Sequence, residues 1–425
     1  MTKDIDPILS ARQERAESLA RLVATDGVVC ALKANVPGGK KNTVASGLIL
    51  RLFAGILGSL LPDKRGLVAS ADGDYHVYVS DRPAAALKRT AVLLEEEHPL
   101  GPFVDIDVHT KEGPLSRADL GFPPRSCWVC GGDAKTCVRA ERHRKAELVG
   151  RMEASLKEHL PALLADAALE ALRKEVFTYP SFGLVSARDC GGHTDMNISH
   201  FLASLQALAP SFHAYARLGA EGGSLRKLRK EGRAAEKRML SRTDGVNTHK
   251  GANYIFGLVL YHQTDALLRG KSFRAFIEDM KATARAFRDH DLRDLSKRAP
   301  RTKGEKVYLS QGKGGVRDEA AQGFPAVVEG LSDTQAHPLR KLARIMGRTH
   351  DTTLYKDEQD DGRATRKEAR LQAEKSLEEL REWSRLLKRR GVSPGGAADL
   401  LALSFFFERS CHLFGKDGEN AHALV

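Results

Sequence analysis

The first 110 residues alternate between short β-branched runs and amphipathic stretches. Apolar residues at helical spacing predict helices, and short apolar runs bounded by Gly, Pro or Asp predict strands. Two such runs flank the turn signal Asp72-Gly73-Asp74 and predict a β-hairpin. The predicted elements are a helix over 8–23, a strand over 28–36, a helix over 43–60, strands over 66–71 and 75–80, a helix over 83–97 and a strand over 103–110. After the first helix this order is β-α-β-β-α-β, which is typical of a ferredoxin-like α+β domain.

From about residue 145 onward, long segments rich in Ala, Leu, Arg and Glu replace this alternation. Strand signals nearly vanish, so the second half is predicted to be all-α. The predicted helices include a stripe from Ile198 to Leu208 and the segments 254–268, 273–287, 365–387 and 397–407. The polar, glycine-containing segments 288–320 and 355–364 are predicted to be loops. A domain boundary is expected within 145–165, where Pro161 interrupts a helical run, and this gives domains 1–157 and 158–425.

Length and composition are those of a globular protein of two or three domains. The chain has 425 residues, of which 42% are hydrophobic and 29% charged. It contains no run of about 18 apolar residues, so a membrane span is not expected. The N-terminus carries acidic residues and no apolar segment, and a chain of this length does not need its six cysteines as disulfide staples. These features favour the cytoplasm.

The formal net charge of +12 bears on the partners of the protein rather than on its fold. Polyphosphate ligands, acidic carrier proteins and nucleic acids all suit it, and so does a merely basic, soluble surface. Aromatic residues make up only 6% of the chain, without the interleaved basic and aromatic positions of a single-strand nucleic-acid groove. We therefore expect neither a nucleic-acid nor a membrane partner.

Asp105 and Asp107 lie two residues apart on a predicted strand. Residues i and i+2 of a strand face the same side, so the two carboxylates are presented together. Mg²⁺ is commonly held by one or two carboxylates plus substrate phosphates, and two such ions can stabilise a phosphoryl displacement. An Asp-x-Asp pair at a strand end is also often solvated without a metal, so the spacing alone leaves both interpretations open.

Three cysteines and a histidine cluster at Cys127, Cys130, Cys137 and His143. Three thiolates and an imidazole can complete a tetrahedral zinc site, for which a C-x₂-C pair is the usual half-site. The second pair does not have standard spacing, so the alternative is a set of reduced, packed thiols with His143 facing solvent. Redox chemistry is less favoured, because the βαβ context of a thioredoxin-like pair is missing.

Three motifs of the first half carry a resemblance to a known family. They are His98-Pro-Leu-Gly101, Asp105-Ile-Asp107-Val108 and Pro123-Pro-Arg125-Ser-Cys127-Trp-Val-Cys130. Over about residues 8–157 the chain resembles the holo-acyl-carrier-protein synthase of citrate lyase. The resemblance implies transfer of a phosphoribosyl-dephospho-coenzyme-A unit to a carrier serine, with pyrophosphate leaving. It implies Asp105, Asp107, Arg117 and Arg125 as site positions. We expect the two aspartates to bind metal and the two arginines to bind the triphosphate.

Five motifs of the second half carry a second resemblance. They are Gly192-His193-Thr194-Asp195-Met196, Asp244 to Gly251, Thr302 to Glu305 with Gly315 to Glu319, His350 to Thr353, and Ser393 to Leu400. Three of them have a local alternative: Thr194 or Asp195 is a suitable N-cap, Asn247 or Thr248 could cap the next helix, and the third block could be a mobile basic loop. Two glycines at a helix start, Gly395 and Gly396, indicate that something approaches the amides closely.

In this order, the five blocks resemble the triphosphoribosyl-dephospho-coenzyme-A synthase over about residues 160–412. The implied reaction removes adenine from ATP and joins C1 of the ribosyl triphosphate to a ribose hydroxyl of dephospho-coenzyme A. Such chemistry requires carboxylates near a developing oxocarbenium ion, and Mg²⁺ and cations around a retained triphosphate. The implied catalytic positions are His193, Asp195, Glu305, Glu319 and Asp351, and the implied substrate-binding positions are Asn247, Lys250, Arg317, Gly395, Gly396 and Asp399.

Together the two resemblances imply a bifunctional transferase that makes an activated prosthetic group and attaches it to the acyl carrier protein of citrate lyase. Its substrates would be ATP and dephospho-coenzyme A. The chain departs from the family pattern at Tyr179–Ser186, at Asp318 and after Asp351. One alternative is therefore an active first half joined to a second half that only binds the cofactor. Another is a basic, zinc-containing nucleic-acid-binding protein.

Overall fold

A computed structural model describes residues 6–293, 295–300, 302–354 and 362–424. The chain forms two compact units, Met1–Leu160 and Pro161–Val425. The division falls within one helix, Lys145–Val176, which runs through Pro161 without a break. The expectation that Pro161 interrupts the helical run is therefore wrong. No helix among the described residues has the length and apolar character needed to cross a membrane.

The first unit contains an antiparallel five-stranded sheet with the order β2-β3-β1-β4-β5. The strands are β1 (Val28–Ala34), β2 (Lys64–Val68), β3 (Tyr75–Ser80), β4 (Val104–Thr110) and β5 (Gly113–Leu115). Strand β1 is central because it pairs with β3 on one side and β4 on the other. The register places Lys33 opposite Tyr75 on β3 and opposite Asp105 on β4, so these three residues share one face of the sheet.

Helices cover both faces of this sheet. They are α1 (Pro7–Asp26), α2 (Val44–Leu60) and α3 (Ala84–Glu97), followed by α4 (Ala134–Arg139) and α5 (Lys145–Val176). Leu19 and Val23 of α1 pack on Val29, Ala31 and Val77, on the face that also carries Lys33. On the opposite face the hydroxyl of Tyr78 donates to the carbonyl of Ala54 in α2.

The regular elements among the described residues of the second unit are all helices. Its helices are α6 (Ile198–Glu221), α7 (Leu225–Arg242), α8 (Lys250–Leu268), α9 (Phe273–Leu292), α10 (Lys303–Gln311), α11 (Val316–Gln322), α12 (Pro325–Val328), α13 (Pro338–Arg348), α14 (Arg363–Gln372), α15 (Leu377–Arg389), α16 (Gly395–Ser410) and α17 (Lys416–Glu419). Short 3₁₀ turns lie at Gly101–Phe103, Ala118–Leu120, Leu295–Lys297, Glu329–Asp333, Cys411–Phe414 and Ala421–Leu424.

Helix α8 forms the centre of this unit. It is apolar on nearly every side and packs against α6, α7, α9 and α16. The ring of Phe256 lies 5.4 Å from that of Phe212 in α6 and 5.7 Å from that of Phe406 in α16. The buried body of α8 thus fixes its first turn, from Lys250 onward, relative to the start of α16.

The structure confirms the α+β first half and the helical second half, and it corrects two expectations about elements. The predicted loop 288–320 contains α10 and α11, because Thr302 caps α10 and Gly312 ends it in the left-handed conformation. The predicted helix 365–387 is two helices, because Ser376 and Glu379 form a capping box that begins α15. Residues 355–361 of the other predicted loop lie outside the described residues.

Candidate active sites

A cavity of about 1050 Å³ lies in the second unit. The segment before α6, helix α7 and the N-terminal ends of α8, α11 and α16 contribute to its wall. The site residues predicted from the sequence that line it are His193, Asn247, Lys250, Glu305, Arg317, Asp351, Gly395, Gly396 and Asp399. Asp195 and Glu319 do not line it. Most positions predicted from five separate motifs therefore meet at one cavity.

Asp399, a residue of α16, places its carboxylate against the N-terminal end of α8. The backbone N–H of Ala252 donates to its carboxylate, and a Cβ on Gly251 would overlap Oδ2 of Asp399. Burial, with Glu175 and Asp351 nearby, raises the pKa of Asp399 well above its usual range. A carboxylate of the chain itself thus occupies this helix end.

Asp351 has the same relation to the start of α16. It accepts hydrogen bonds from the backbone N–H groups of Ala397, at 2.9 Å, and of Thr353, at 2.9 Å. A Cβ on Gly396 would lie 2.7 Å from Oδ1 of Asp351. The sequence correctly indicated a close approach to these glycine amides, and the approaching group is a carboxylate of the chain itself.

Glu175 of α5 is a third buried carboxylate on the cavity wall. Burial raises its pKa to about 8, and no cation faces it at hydrogen-bond distance among the described residues. Nothing in the sequence distinguished Glu175, because it follows Arg-Lys in a helix of mixed charge and reads as a solvent-facing residue. The cavity therefore holds three partly or fully desolvated carboxylates, Glu175, Asp351 and Asp399.

His193 connects the segment before α6 to the start of α16. Its Nε2 lies 2.6 Å from Oγ of Ser393, and its Nδ1 lies 3.6 Å from Oδ1 of Asp195. The side chain of Asp195 is 64% exposed. Neither Thr194 nor Asp195 caps the helix, because Asn197 does so by accepting from the N–H of Ser199. The capping alternative for this motif is therefore wrong.

The motif before α8 places Asn247 and Lys250 on the cavity wall. Oδ1 of Asn247 accepts from the N–H of Lys250 at 3.3 Å. Nζ of Lys250 forms an ion pair with Glu236 of α7 at 2.7 Å, and both residues line the cavity. The ammonium group is thus held at the cavity by a carboxylate from which an anionic ligand could displace it.

Glu305 and Arg317 reach the cavity from α10 and α11. Arg298 binds the Glu305 carboxylate through both terminal nitrogens, at 2.8 and 3.0 Å. The guanidinium of Arg317 lies over the ring of Tyr254, at 5.7 Å from its centroid, and 3.7 Å from Asp291. Arg298, Tyr254 and Asp291 are wall residues that the sequence analysis missed, because no motif contains them.

Glu319 instead supports the protein core. It accepts hydrogen bonds from the N–H of Ala326 and the hydroxyl of Thr349, at 3.4 and 3.3 Å. Its neighbour Asp318, one of the departures from the family pattern, accepts from the N–H of Gly314 at 2.6 Å and lies 3.4 Å from Arg288. Both carboxylates thus hold the segment between α10 and α11 in place.

In the first unit Asp105 and Asp107 lie on the sheet face of Lys33. Asp107 is exposed, and Asp105 is half-buried. Lys33 stands opposite Asp105 in the register, and its Nζ donates to Asp72 at 2.7 Å. The two predicted metal ligands are therefore next to a cation that the motifs did not identify.

Asp72 gathers three cations on this face. Its fully buried carboxylate accepts from Arg12, Arg15 and Lys33 at 3.0, 2.5 and 2.7 Å. Burial alone would raise the pKa of Asp72, but the three cations outweigh burial and hold the pKa at about 2. Lys41 lies close by, and burial together with Lys33 lowers its pKa. The three cations that bind Asp72 outnumber its single negative charge.

Arg117 and Arg125 are both engaged with carboxylates. Arg117 binds Glu95 and Glu96, each at 3.1 Å. Arg125 binds Glu95 and also Asp105, the latter at 2.6 Å. Glu95 itself accepts from the N–H of Ile106 on β4, at 2.8 Å. In this arrangement Arg125 orients Asp105. Arg117 holds Glu95, the carboxylate that accepts a hydrogen bond from β4.

The predicted zinc ligands come together. One ligand atom from each of Cys127, Cys130, Cys137 and His143 lies within 4.8 Å of all the others, the only such group of three or more His, Cys, Asp or Glu among the described residues. The sulfur atoms of Cys130 and Cys137 are 3.5 Å apart. Nε2 of His143 is buried and makes no hydrogen bond. His143 therefore faces the thiols, which contradicts the alternative that it points to solvent.

Residues 161–417 match the model of the ATP:dephospho-CoA triphosphoribosyl transferase family, and residues 3–159 match that of the apo-citrate lyase phosphoribosyl-dephospho-CoA transferase family. The protein CitXG of Leuconostoc mesenteroides is 29% identical over 95% of this chain and 96% of its own length. The protein CitXG of Haemophilus influenzae is 29% identical over 95% of both. A 2-(5''-triphosphoribosyl)-3'-dephosphocoenzyme-A synthase of Haemophilus ducreyi is 31% identical over 66% of this chain and 98% of its own length.

Proposed function

Since the chain belongs to the ATP:dephospho-CoA triphosphoribosyl transferase family and carries an apo-citrate lyase phosphoribosyl-dephospho-CoA transferase domain ahead of it, we propose that it is a bifunctional transferase with one active site in each unit. Residues 158–425 make the triphosphoribosyl-dephospho-coenzyme A, and residues 1–157 transfer its phosphoribosyl-dephospho-coenzyme-A part to a serine of the citrate lyase acyl carrier protein. We expect this to take place in the cytoplasm, where ATP is available. The family match over both halves favours this function over nucleic-acid binding.

The cavity of the second unit is the proposed synthase site. The observation that carries this proposal is the meeting of two buried carboxylates, Glu175 and Asp351, and the half-buried Asp399 with the cations Lys250 and Arg317 at one cavity. The C1–N bond of ATP breaks, C1 bonds to a ribose hydroxyl of dephospho-coenzyme A, and the hydroxyl proton goes to the departing adenine. Carboxylates stabilise positive charge that develops at C1. The cations bind the triphosphate, which is retained.

Mg²⁺ fits this cavity because desolvated carboxylates lie beside groups suited to phosphate. A Mg²⁺ ion commonly binds one or two carboxylates and several phosphate oxygens. Asp399 and Glu175 are the residues that would hold it, and both would release their protons on binding it, because burial raises their pKa values. The ion would neutralise charge on the triphosphate. His193 and Ser393, joined by their hydrogen bond, lie on the same cavity wall.

The sheet face of Asp105 and Asp107 is the proposed transferase site. Asp105 and Asp107 would hold Mg²⁺, which neutralises the leaving phosphates. Lys33 and Arg15, gathered by Asp72, would bind the triphosphate, while Arg125 positions Asp105 and Arg117 positions Glu95. The carrier serine oxygen bonds to phosphorus, the bond to pyrophosphate breaks, and the hydroxyl proton passes to a carboxylate of this face.

The domain that carries this face is proposed to be ferredoxin-like with one added short strand. The element order β1-α2-β2-β3-α3-β4 and the sheet order β2-β3-β1-β4 support this proposal. Strand β5 extends the sheet at the β4 edge by three residues.

The cluster of Cys127, Cys130, Cys137 and His143 is proposed to bind a structural zinc ion. Ligand bonds of about 2.3 Å in a tetrahedron place neighbouring sulfur atoms about 3.8 Å apart, close to the 3.5 Å between Cys130 and Cys137. The buried Nε2 of His143 lacks a partner, which a metal would supply. The ion would tie the segment after β5 to the start of α5.

The synthase activity is tested by incubating the full chain with ATP, Mg²⁺ and dephospho-coenzyme A and following free adenine by chromatography. We expect one adenine for each dephospho-coenzyme A consumed, with the triphosphate intact in the product. Binding of both substrates without adenine release would instead support the alternative that the second half is a cofactor-binding module. An Asp399→Asn variant is the matched control, and we expect it to bind ATP but to release little adenine.

A further inference from the structure

Three buried polar atoms near the start of α8 have no hydrogen-bond partner: Oγ1 of Thr248, Nε2 of His249 and Oη of Tyr254. Buried polar atoms are nearly always paired, because an unpaired group loses its bonds to water without replacement. All three residues line the synthase cavity. Because the three atoms lie on one short segment, a single bound ligand could supply hydrogen-bond partners for all of them.

His249 has a fixed and uncharged imidazole. Its Nδ1 lies 2.7 Å from the hydroxyl of Ser204, and its side chain is almost wholly buried. Burial lowers its pKa to about 4, so the ring is neutral near pH 7. A neutral ring that is held at Nδ1 offers Nε2 as a single directed hydrogen-bonding group.

The other two groups are hydroxyls, each able to donate and to accept. Neither the Thr248 hydroxyl nor the Tyr254 hydroxyl forms a hydrogen bond within the described part of the chain. The neighbouring Asn247, in contrast, accepts a hydrogen bond from the N–H of Lys250. The ligand groups that satisfy such atoms are uncharged donors and acceptors. Phosphate is better served by the cations Lys250 and Arg317 on the same wall.

Two aromatic rings, those of Phe201 and Tyr254, lie at this part of the cavity wall. The ring of Phe201, which also lines the cavity, packs edge-on against His249 with centroids 5.0 Å apart. The ring of Tyr254 carries the guanidinium of Arg317 on one face. Planar apolar surfaces combined with neutral hydrogen-bonding groups are the features that bind a nucleobase.

We propose that Thr248, His249 and Tyr254 form a hydrogen-bonding subsite for the adenine ring of a nucleotide substrate. This inference rests on the proposed synthase function, whose two substrates, ATP and dephospho-coenzyme A, both contain adenine. The subsite holds the base while Lys250 and Arg317, next to it on the wall, bind phosphates. It thereby sets which bond of the nucleotide lies near Asp399.

The test uses the full chain with Thr248→Val and Tyr254→Phe, which remove only the unpaired hydroxyls. Matched controls are Thr264→Val and Tyr261→Phe on the same helix, whose hydroxyls donate to the carbonyls of Leu260 and Gly223, at 2.7 and 2.6 Å. Binding of ATP, dephospho-coenzyme A, inorganic triphosphate and ribose 5-phosphate is measured separately by calorimetry, and Tm is measured with and without ATP.

We expect each subsite variant to weaken binding of ATP, of dephospho-coenzyme A, or of both by about 3- to 10-fold, the effect of one lost hydrogen bond. Which nucleotide is affected identifies the adenine that is bound. Binding of inorganic triphosphate and ribose 5-phosphate should not change. Without ligand, Tm of the subsite variants should stay level or rise, because an unsatisfied group has been removed, whereas the controls should lose Tm and keep their nucleotide affinity.

Unchanged affinity of both subsite variants for both nucleotides would overturn the inference. Equal weakening of triphosphate or ribose 5-phosphate binding would also overturn it, because the bound group would then be phosphate or sugar. Failure of the proposed function is distinct from either result: the unmodified chain would then bind neither nucleotide and release no adenine.

Discussion

The carboxylate of Asp399 fills the space that a side chain at position 251 would need. A Cβ on Gly251 would overlap Oδ2 of Asp399 and lie 3.0 Å from its Cγ. The two residues belong to different motifs, one at the start of α8 and the other one turn into α16. The glycine is therefore required for an acid to reach a helix N-terminus inside the cavity, where the helix dipole favours negative charge.

Replacement of Gly251 by Ala should displace Asp399 and reduce adenine release by about 100-fold, because small displacements of a catalytic group have large effects on rate. The added methyl should also destabilise the unit by about 1–3 kcal/mol. Adenine release and circular dichroism check the two effects separately. Gly330→Ala is the control, since nothing lies within 4 Å of its Cβ position. A folded Gly251→Ala variant with normal adenine release would contradict the role of Asp399.

Glu175 should make the stability of the protein depend on pH. Its pKa is about 8 in the folded chain against 4.5 for the free side chain, so the folded state holds a proton that the unfolded state releases between these values. The free energy of unfolding therefore falls as pH rises through this window. Glu175→Gln cannot lose a proton, so it should match the unmodified protein near pH 4.5 and exceed it by a few kcal/mol near pH 8.

Urea unfolding at the two pH values measures this difference. Glu158→Gln, an exposed position on the same helix, should behave like the unmodified protein. A Glu175→Gln variant whose stability falls with pH as steeply as that of the unmodified protein would show that Glu175 is already ionised in the cavity.

Asp107→Asn should separate the two activities. The variant loses one of two proposed metal ligands, so carrier modification should fall by more than about 100-fold, beyond the usual effect of a residue that only supports a ligand. Adenine release should be unchanged, because the second unit has its own cavity. Carrier mass and free adenine are measured in the same reaction, with the exposed Asp81→Asn as the control. Equal loss of both signals would contradict the assignment of one site to each unit.

The Cys127, Cys130, Cys137 and His143 cluster should retain one zinc ion per chain after purification. Cys130→Ser should lose the metal and lower the Tm of the first unit, since structural zinc contributes directly to folding free energy. Metal analysis and thermal unfolding check this, and Cys190→Ser, an exposed cysteine outside the cluster, is the control. Protein purified without chelator that contains no zinc, with the four residues intact, would contradict the proposal.

The sequence predicted elements well where one local signal dominated. The hairpin around Asp72-Gly73-Asp74 forms, as β2 and β3, and the turn signal predicted it rather than burial, because Leu67 and Val68 of β2 stay exposed and the register shifts between Lys64 and Gly66. The segment 288–320 was read as a loop because its charges and glycines conceal two short helices, and their ends depend on single residues such as Thr302 and Gly312. A capping box at Ser376 likewise divides one long helical pattern in two.

The sequence identified most of the residues that line the cavity, but it could not show which of them contact one another. Motif order brought Asn247, Asp351 and Asp399 together, whereas Glu175 carries no local signal, since its place beside Asp399 on the cavity wall depends on tertiary packing. The glycines at 395–396 indicated a close approach without showing that Asp351 makes it. Long-range pairing of this kind depends on tertiary packing, which periodicity and spacing do not contain.

The most direct test of the account is one incubation of the purified chain with ATP, Mg²⁺, dephospho-coenzyme A and apo acyl carrier protein of citrate lyase. Adenine is followed by chromatography, and the carrier by mass spectrometry. The account predicts free adenine together with a carrier that gains one phosphoribosyl-dephospho-coenzyme-A unit on a serine. No adenine and an unchanged carrier mass, with all substrates shown to be intact, would contradict it.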